Sequence, residues 1–401
     1  MISYEDIVMA HEKMKGIVHV TPLDYSRTFS NYAHNDIYLK LENLQKTGSF
    51  KVRGSYNKMS SLSKEELQKG VVAASAGNHA QGVAYASTML DIPCTIVMPI
   101  AAPLSKVQAT KEYGANIELQ GNSFDDALCY ALELREKTGA SFVHAFDDEA
   151  IITGQGTVGL EIIEQLPDVD VIVCPIGGGG LIAGLAAAVK EKHPHIKIYG
   201  VEASACPSMA MSLVEGKPIT VEADPTMADG IAVKKPGQVP FELVQKYVDK
   251  IYTVNELEIA RTMLMLLERN KLLVEGSGAV ALAAMLYQKI PIKDQKVVCL
   301  ISGGNVDVSF ISRIIERGMV EAGRFMRFST ILKDQPGNLE KILEVVTERR
   351  GNVLDISLSH IGNKIYPSYA QLSLSVETKD QKHIEEIVQA LKDNGYDPEL
   401  G

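Results

Sequence analysis

Short apolar runs alternate with segments of helical periodicity through most of residues 70–305. Seven runs have the length and composition of buried strands: GVVAAS (70–75), CTIVMP (94–99), NIELQ (116–120), SFVHAF (141–146), DVIVCP (170–175), KIYGVE (197–202) and KVVCLI (296–301). The segments between them that show helical spacing include 80–91, 105–114, 124–139, 181–192 and 256–270. A strand-helix-strand order predicts an α/β fold with parallel sheets covered by helices on both faces. Ligands bind such sheets at the carboxyl ends of the strands.

The pattern changes near residue 320. Residues 325–401 predict, in order, a strand, a helix, two strands joined by the loop IGNKIYPS (361–368), a second helix and the short terminal segment YDPEL. This βαββαβ order indicates a separate small α+β domain. The segment SRIIERGMVEAGR (312–324) predicts a helix and a linker that join it to the rest of the chain.

Composition adds the broad class of the protein. The chain has 401 residues, of which 46% are hydrophobic and 22% charged, and this is typical of a globular enzyme with two or three domains. A net charge of −10 gives no basic surface for nucleic acid or an anionic membrane. The acidic N-terminal segment does not resemble a signal peptide, and the longest apolar run, 181–189, is too short to span a bilayer. Five cysteines without CxxC spacing predict free thiols and a cytoplasmic location.

The stretch TGSFKVRG (47–54) contains the first candidate for chemistry. Lys51 lies between Phe50 and Val52, and these neighbours predict an ammonium group that is partly removed from water. Desolvation lowers the pKa of an amine and makes it available as a nucleophile. The alternative interpretation is a surface lysine that opens a helix.

Four consecutive glycines, Gly177 to Gly180, separate a predicted buried strand from a predicted helix. Backbone N–H groups without Cβ atoms, next to a helix N-terminus, can hold a phosphate. A tight turn is one alternative interpretation. A second is a dinucleotide site, because Gly178, Gly180 and Ala183 loosely fit that fingerprint and Glu202 follows about twenty residues later. That alternative would make the protein an NAD-dependent oxidoreductase, but it leaves Lys51 without a role.

Two further polar loops follow predicted strands. SAGNH (75–79) offers N–H groups and short polar side chains to a carboxylate, or it forms a capped turn. SGGN (302–305) places the hydroxyl of Ser302 either toward a ligand ring or at the start of a helix. Sites for a phosphate and a carboxylate, together with an aldehyde-reactive amine, describe pyridoxal 5′-phosphate holding an amino acid.

Five motifs in this order carry a resemblance to a known family: SFKVRG (49–54), SAGNHAQG (75–82), GGGG (177–180), EGSGAVALAA (275–284) and SGGN (302–305). They closely resemble the threonine dehydratase (threonine ammonia-lyase) family of fold-type-II pyridoxal-phosphate enzymes. The likeness covers residues 1–320 and implies a catalytic region like tryptophan synthase β, with a smaller subdomain at about 42–150 inserted in a larger one. KDQPGNL (333–339) makes residues 325–401 resemble an ACT regulatory domain.

The resemblance also implies roles for single residues. Lys51 would bond covalently to the cofactor and act as the catalytic base, with Phe50 packed at the cofactor. Asn78 would bind the ring 3′-oxygen, Ser302 the pyridine nitrogen, and the four glycines the phosphate. The residues implied for the cofactor are Phe50, Lys51, Asn78, Gly177, Gly178, Gly179, Gly180 and Ser302. Those implied for the substrate carboxylate are Ser75, Gly77, Asn78 and His79.

The activity implied is the deamination of L-threonine, with L-serine as a second substrate, to 2-oxobutanoate or pyruvate and ammonia. Serine racemase of the same fold is the alternative. Racemisation needs a second base, which is a serine in those relatives, whereas this chain has Ala76. Racemases also carry a glutamate and an aspartate for a divalent metal, whereas here Glu202 is followed by Ser208, so we expect no metal.

The expected partners are small molecules and further copies of the chain. The turn Asp334-x-Pro336-Gly337-x-Leu339 would bind an amino-acid effector, for which the resemblance suggests isoleucine or valine and a role in isoleucine biosynthesis. A purely dimerising module and activation by a nucleotide remain open. We expect a homodimer or homotetramer that binds neither nucleic acid nor a membrane.

Overall fold

The computed structural model describes residues 2–361 and 365–401, so residues 362–364 of the predicted loop 361–368 lie outside it. The described part contains fourteen strands: β1 Leu23–Tyr25, β2 Asp36–Leu41, β3 Val71–Ala74, β4 Cys94–Met98, β5 Asn116–Leu119, β6 Ser141–Phe142, β7 Val171–Pro175, β8 Lys197–Ala203, β9 Lys250–Val254, β10 Lys296–Ile301, β11 Phe325–Lys333, β12 Asn352–Ser359, β13 Tyr369–Glu377 and β14 Glu399–Leu400.

It also contains sixteen α-helices: α1 Tyr4–Met14, α2 Arg27–Ala33, α3 Lys51–Ser60, α4 Lys64–Lys69, α5 Asn78–Met89, α6 Leu104–Glu112, α7 Phe124–Thr138, α8 Glu149–Gln165, α9 Gly180–Lys190, α10 Ser208–Glu215, α11 Gln238–Tyr247, α12 Glu256–Met265, α13 Gly276–Leu286, α14 Val308–Glu321, α15 Asn338–Glu348 and α16 Gln381–Asp393. Two short 3-10 turns, Glu42–Leu44 and Asp229–Ile231, and a π-turn at Leu266–Asn270 complete the helical structure.

A six-stranded sheet has the order β1-β2-β10-β7-β8-β9. All neighbouring pairs are parallel except β1 and β2. Helices α8 and α9 pack closely together because Gly156 and Gly184 meet at their contact, where a Cβ atom on Gly184 would lie 2.2 Å from the carbonyl oxygen of Ile152. The predicted parallel sheet is confirmed.

A second sheet has four parallel strands in the order β5-β4-β3-β6. Its strands come between β2 and β7 in the chain, so this sheet is inserted in the sequence of the larger one. The run 141–146, predicted as one strand, pairs only at Ser141 and Phe142. Beyond Phe142 the chain turns, because the Nδ1 atom of His144 accepts the N–H groups of Phe146 and Asp147 at 3.2 and 2.8 Å.

The chain divides into two compact units, Met1–Asp307 and Val308–Gly401. In the second unit, helix α14 is followed by an antiparallel sheet of order β12-β13-β11-β14 and by helices α15 and α16. After α14 the element order is β11-α15-β12-β13-α16-β14, which is the predicted βαββαβ order. Apolar residues of β11 and β13 pack against α15 and α16 in a separate core.

All five cysteines are free thiols, and four of them are buried. Burial raises the pKa of Cys94 to about 11 and raises the pKa of Cys174 and Cys299 further, so these thiols stay protonated. In the part of the chain that the structure describes, no helix has both the length and the apolar character needed to cross a bilayer.

Candidate active site

Lys51 is the first residue of helix α3 and lies at the centre of the candidate site. Its ammonium nitrogen Nζ donates to the carbonyl oxygen of Ala145 at 3.0 Å and lies 5.2 Å from the ring centroid of Phe50. Burial lowers the pKa of Lys51 from 10.5 to about 8, and the negative charge of Glu275 opposes this shift. The amine is therefore partly neutral near neutral pH, as a nucleophile or base requires.

The pH dependence of covalent cofactor uptake by the cofactor-free protein tests this environment. The uptake rate is expected to rise about tenfold per pH unit up to about pH 8 and then to level, because only the neutral amine of Lys51 reacts. Glu275→Gln removes the opposing negative charge, so the midpoint moves to lower pH. The measurement is the appearance of the visible absorption band over a pH series. A midpoint near the ordinary value of a lysine contradicts the desolvated environment.

The four glycines connect β7 to helix α9, which begins at Gly180. Gly179, the N-cap, has φ +94° and no side chain to cap the helix, so the first N–H groups of α9 are open to a ligand. A Cβ atom on Gly178 would lie 2.3 Å from the ring of Phe146, and one on Gly177 would lie 2.9 Å from Cα of Ile231. The loop thus combines an uncapped helix N-terminus with neighbours that exclude side chains. These features fit a phosphate.

The segment 143–147 joins Lys51 to this glycine loop. Ala145 supplies the carbonyl that accepts from Lys51, and the next residue, Phe146, packs against Gly178. Asp147 accepts the N–H groups of Gln238 and Val239 at the start of α11. Lys51 and the glycine loop are more than 120 residues apart in the sequence. They are therefore connected in the structure by contacts with one short segment, 143–147.

The SAGNH loop ends at helix α5, which begins at Asn78 and has Gly77 as its N-cap. No side chain caps this helix, so its first N–H groups can bind a carboxylate. Ser75 turns its hydroxyl back to accept the N–H of Gly77 at 3.1 Å. The ring of His79 is buried, and its Nε2 lies 2.9 Å from the carbonyl oxygen of Val143. Burial lowers the pKa of His79 to about 3, so the ring is neutral, and its contribution to the loop is its backbone N–H.

The SGGN loop is bonded to the segment that precedes Lys51. The N–H of Phe50 donates to the carbonyl oxygen of Ser302 at 3.2 Å, and the N–H of Gly304 donates to that of Gly48 at 2.9 Å. The hydroxyl of Ser302 is buried, and the hydrogen bond that it makes to the carbonyl oxygen of Ser277 is long, at 3.4 Å. This hydroxyl is available to a ligand ring.

A chain of hydrogen bonds links three of the loops. The Nδ2 atom of Asn305 donates to Oδ1 of Asn78 at 2.8 Å, and Nδ2 of Asn78 donates to Oε1 of Glu275 at 2.7 Å. Ser277 also donates to this oxygen at 3.0 Å. Burial, and secondarily the charge of Asp229, raises the pKa of Glu275. The side chain of Asn78 is thereby held between Asn305 and Glu275.

Backbone and side-chain hydrogen bonds bring Lys51, Phe50, Asn78 and Ser302 into one assembly, and the segment 143–147 connects it to the glycine loop. Four further contributors were not predicted from the sequence: Ala145, Phe146, Glu275 and Asn305. Glu275 and Asn305 lie inside quoted motifs, EGSG and SGGN, and that position was the available signal. Nothing local marks Ala145 or Phe146.

Glu202 does not have the surroundings of a metal ligand. Its two carboxylate oxygens accept the N–H groups of Met209 and Ala210 at 2.8 and 2.9 Å, and burial raises its pKa to about 7. Ser208 donates its hydroxyl to the carbonyl oxygen of Val233. Across residues 2–361 and 365–401, no group of three histidine, cysteine or acidic side chains could hold a metal ion.

Comparison with known proteins gives consistent matches. Residues 14–303 match the model of the family described as "Pyridoxal-phosphate dependent enzyme". An L-threonine ammonia-lyase of Thermotoga maritima is 52% identical over 397 residues, which are 99% of each chain. An L-threonine ammonia-lyase of Geobacter sulfurreducens is 46% identical over 396 residues, covering 99% of this chain and 98% of that one.

Among solved structures, the processed form of threonine deaminase isoform 2 from Solanum lycopersicum superposes with a TM-score of 0.75 and 39% identity, covering 78% of this chain and 92% of that one. Maize serine racemase superposes with a TM-score of 0.75 and 35% identity, covering 80% of this chain and 98% of that one.

Proposed function

Because the chain belongs to the family of pyridoxal-phosphate dependent enzymes, we propose that it is a carbon–nitrogen lyase that converts L-threonine to 2-oxobutanoate and ammonia. L-serine, which lacks only the methyl group, would give pyruvate in the same way. The observation that carries the proposal is the desolvated amine of Lys51 in one assembly with the SAGNH, GGGG and SGGN loops. Two relatives named for this reaction align with almost the whole chain.

The residues present fit the cofactor. Lys51 would hold it covalently, the loop Gly177 to Gly180 would hold its phosphate, and Asn78 and Ser302 would contact its ring. When bound, pyridoxal phosphate withdraws electrons from the substrate's Cα, so that the Cα proton becomes acidic and a group on Cβ can leave.

The chain itself supplies orientation and proton transfer. The uncapped N-terminus of α5 binds the substrate carboxylate through backbone N–H groups. The amine of Lys51, which is free once the substrate amine has taken its place, accepts the Cα proton and becomes an ammonium, which then donates a proton to the departing β-hydroxyl, so that water leaves. Addition of water to the unsaturated amine that is released then gives 2-oxobutanoate and ammonia. Ser302 would present a neutral hydroxyl rather than a carboxylate to the ring nitrogen, and a neutral hydroxyl does not stabilise a proton on that nitrogen.

Racemisation is the alternative that Ala76 opposes. A racemase needs an acid–base group on the face of Cα opposite the lysine, and an alanine methyl cannot transfer a proton. We therefore propose elimination as the main reaction, although a serine racemase is among the similar structures.

The purified protein with its cofactor decides between the functions. Threonine should release 2-oxobutanoate and ammonia in equal amounts, and L-serine should yield pyruvate with little D-serine. A visible band that borohydride bleaches distinguishes this cofactor from NAD. Absence of ammonia release from threonine by fully loaded protein refutes the proposal, and D-serine as the main product of serine would favour the racemase.

The edge of the C-terminal sheet supports an oligomer. β12 is an edge strand, and its residues Leu354, Ile356 and Leu358 are 53%, 43% and 40% exposed. Ile356 and Leu358 pair with Leu374 and Leu372, which belong to the core under the helices. An exposed apolar edge strand is a pairing surface. We propose that two copies of the second unit pair along β12.

The turn before α15 supports regulation by a small molecule. The helix begins at Asn338 after Gly337, which has φ +90° and provides no side-chain cap. Its free N–H groups suit the carboxylate of an amino acid. We propose feedback by isoleucine or valine at this turn, and with it a biosynthetic role in a reducing cytoplasm.

The pairing of copies is tested by single substitutions on the two faces of one strand. Ile356→Lys is expected to lower the assembly mass measured by light scattering and to abolish any response to isoleucine, because a charge on the apolar face prevents pairing. Ser357→Lys, on the opposite face, is the matched control and should keep the wild-type mass. Equal masses for the two variants would contradict pairing along β12.

A further inference from the structure

Arg53, two residues after Lys51 on α3, belongs to a group of charged side chains that are fully buried. They are at most 1% exposed and are hereafter the buried ion cluster: Lys40, Glu42, Arg53 and Glu161. The cluster contains two positive and two negative charges, so its net charge is zero. It lies outside the set of residues proposed to contact cofactor or substrate.

Arg53 is the centre of the cluster and bonds both carboxylates through two nitrogen atoms. Its Nε and Nη2 donate to the two oxygens of Glu42, each at 2.8 Å. Its Nη1 and Nη2 donate to the two oxygens of Glu161 at 2.6 and 3.0 Å. The remaining Nη1 hydrogen reaches Thr157 Oγ1 at 3.2 Å. A planar guanidinium bonded in two bidentate pairs has a fixed position and a fixed orientation.

Lys40 completes the cluster with three acceptors for its three hydrogens. Its Nζ donates to Glu161 at 2.6 Å, to the carbonyl oxygen of Thr21 at 2.8 Å and to Gln165 Oε1 at 2.9 Å. Thr21 also donates its hydroxyl to Glu42 at 2.6 Å. Every donor of the two cations is therefore used inside the protein.

The cluster joins the elements that carry the site. Lys40 is on β2, where it pairs with Leu300 of β10, the strand that ends just before Ser302. Arg53 is on α3, two residues after Lys51. Thr157, Glu161 and Gln165 lie four residues apart and so occupy one face of α8. The first turn of α3 is thus bonded to a strand beside the SGGN loop and to a long buried helix.

The energetic cost of burying ions indicates that this cluster orients α3 rather than stabilises the fold. The burial of ions is costly, and a buried ion network is often no more stabilising than apolar residues of the same volume. Directional bonds, by contrast, fix one arrangement, and a displacement of about 1 Å in a reacting group lowers a rate by up to about 100-fold. The zero net charge leaves burial and Glu275 as the influences on the basicity of the Lys51 amine.

We infer that Arg53 and its ionic partners are positioning residues, which hold the first turn of α3 against β2 and α8 and thereby direct the Lys51 amine toward Cα of the substrate. This inference rests on the proposed function, because the direction of the amine matters only where Lys51 takes a proton.

The test removes one positive and one negative charge together, so that no unpaired ion is left buried. In the double variant Arg53→Met/Glu42→Gln, Lys40 and Glu161 remain a pair. The expected result is a folded protein that still takes up cofactor, with kcat per loaded site about 100-fold lower and KM for threonine nearly unchanged. The matched control is Lys58→Met, which removes a partly exposed ion pair with Asp148 elsewhere on α3. It should keep the wild-type kcat.

A second variant tests the inference if the double variant does not fold. Arg53→Lys keeps the charge and loses the two bidentate pairs, and it should lower kcat per loaded site about tenfold. Wild-type kcat per loaded site in either folded variant overturns the inference. An inactive parent enzyme would instead refute the proposed function, so the two failures are distinguishable.

Discussion

Lys51→Ala is expected to lower kcat for threonine by at least about 10³-fold while the protein stays folded. The substitution removes the amine that donates to Ala145, and with it the proposed covalent attachment and the proposed proton acceptor. Lys51 is the first residue of α3, and alanine favours a helix, so we expect the variant to fold. The measurements are ammonia release, circular dichroism, and mass spectrometry after borohydride reduction, which should find no cofactor adduct on the variant.

Lys58→Ala is the matched control, because Lys58 lies two turns further along the same helix and pairs with Asp148 at 2.6 Å. Its adduct and its turnover should equal those of the wild type. If the cofactor adduct of the wild-type protein maps to another lysine, the assignment of Lys51 is wrong, whatever the activity of the variant.

Gly178→Ala is expected to weaken cofactor binding by about 10- to 100-fold. The added methyl group would lie 2.3 Å from the base of the Phe146 ring, so either the ring or the loop must move. Overpacking of this kind costs about 1–3 kcal/mol, and each 1.4 kcal/mol corresponds to a factor of ten in affinity. The measurement is the dissociation constant for pyridoxal phosphate, obtained from the visible band of protein stripped of cofactor and titrated again.

A double-mutant cycle identifies the clash as the cause. Phe146→Ala makes room for the methyl group, so Gly178→Ala should weaken binding far less when Phe146 is already alanine. If the two effects simply add, the methyl group acts elsewhere, for example on the N–H groups that face the phosphate. Thermal unfolding of each variant separates loss of affinity from loss of stability.

The alternation of strands and helices was predictable because buried parallel strands are continuous apolar runs. β7 and β10 are such runs, and both were located correctly from the sequence. The three polar loops were predictable for a related reason, since each follows the carboxyl end of a parallel strand, β3 in the four-stranded sheet and β7 and β10 in the six-stranded sheet. The run 141–146 was wrongly predicted as one strand, because the ring of His144 accepts hydrogen bonds from the backbone that follows it. The composition of the run does not reveal this local turn.

The buried ion cluster was not predictable from local patterns. Arg53 and Lys40 look like surface residues, yet their partner Glu161 lies 108 and 121 residues away in the sequence. A charge can be buried only when such distant partners satisfy it, and one sequence does not show which partners meet. β1 and β2 were missed for a simpler reason, because β1 has only three residues and Lys40 interrupts the apolar run of β2.

The bonds through Asn78 run in one direction, from the amide nitrogen of Asn305 to the acid of Glu275. This direction fixes the orientation of the Asn78 amide, because its Oδ1 atom accepts a hydrogen bond from Asn305 and its Nδ2 atom donates one to Glu275. Among the described residues that nitrogen gives its hydrogen bond to Glu275, which leaves its second hydrogen for a ligand. A ligand atom that approaches it must therefore offer a lone pair, as the 3′-oxygen of a pyridoxal-like ring does.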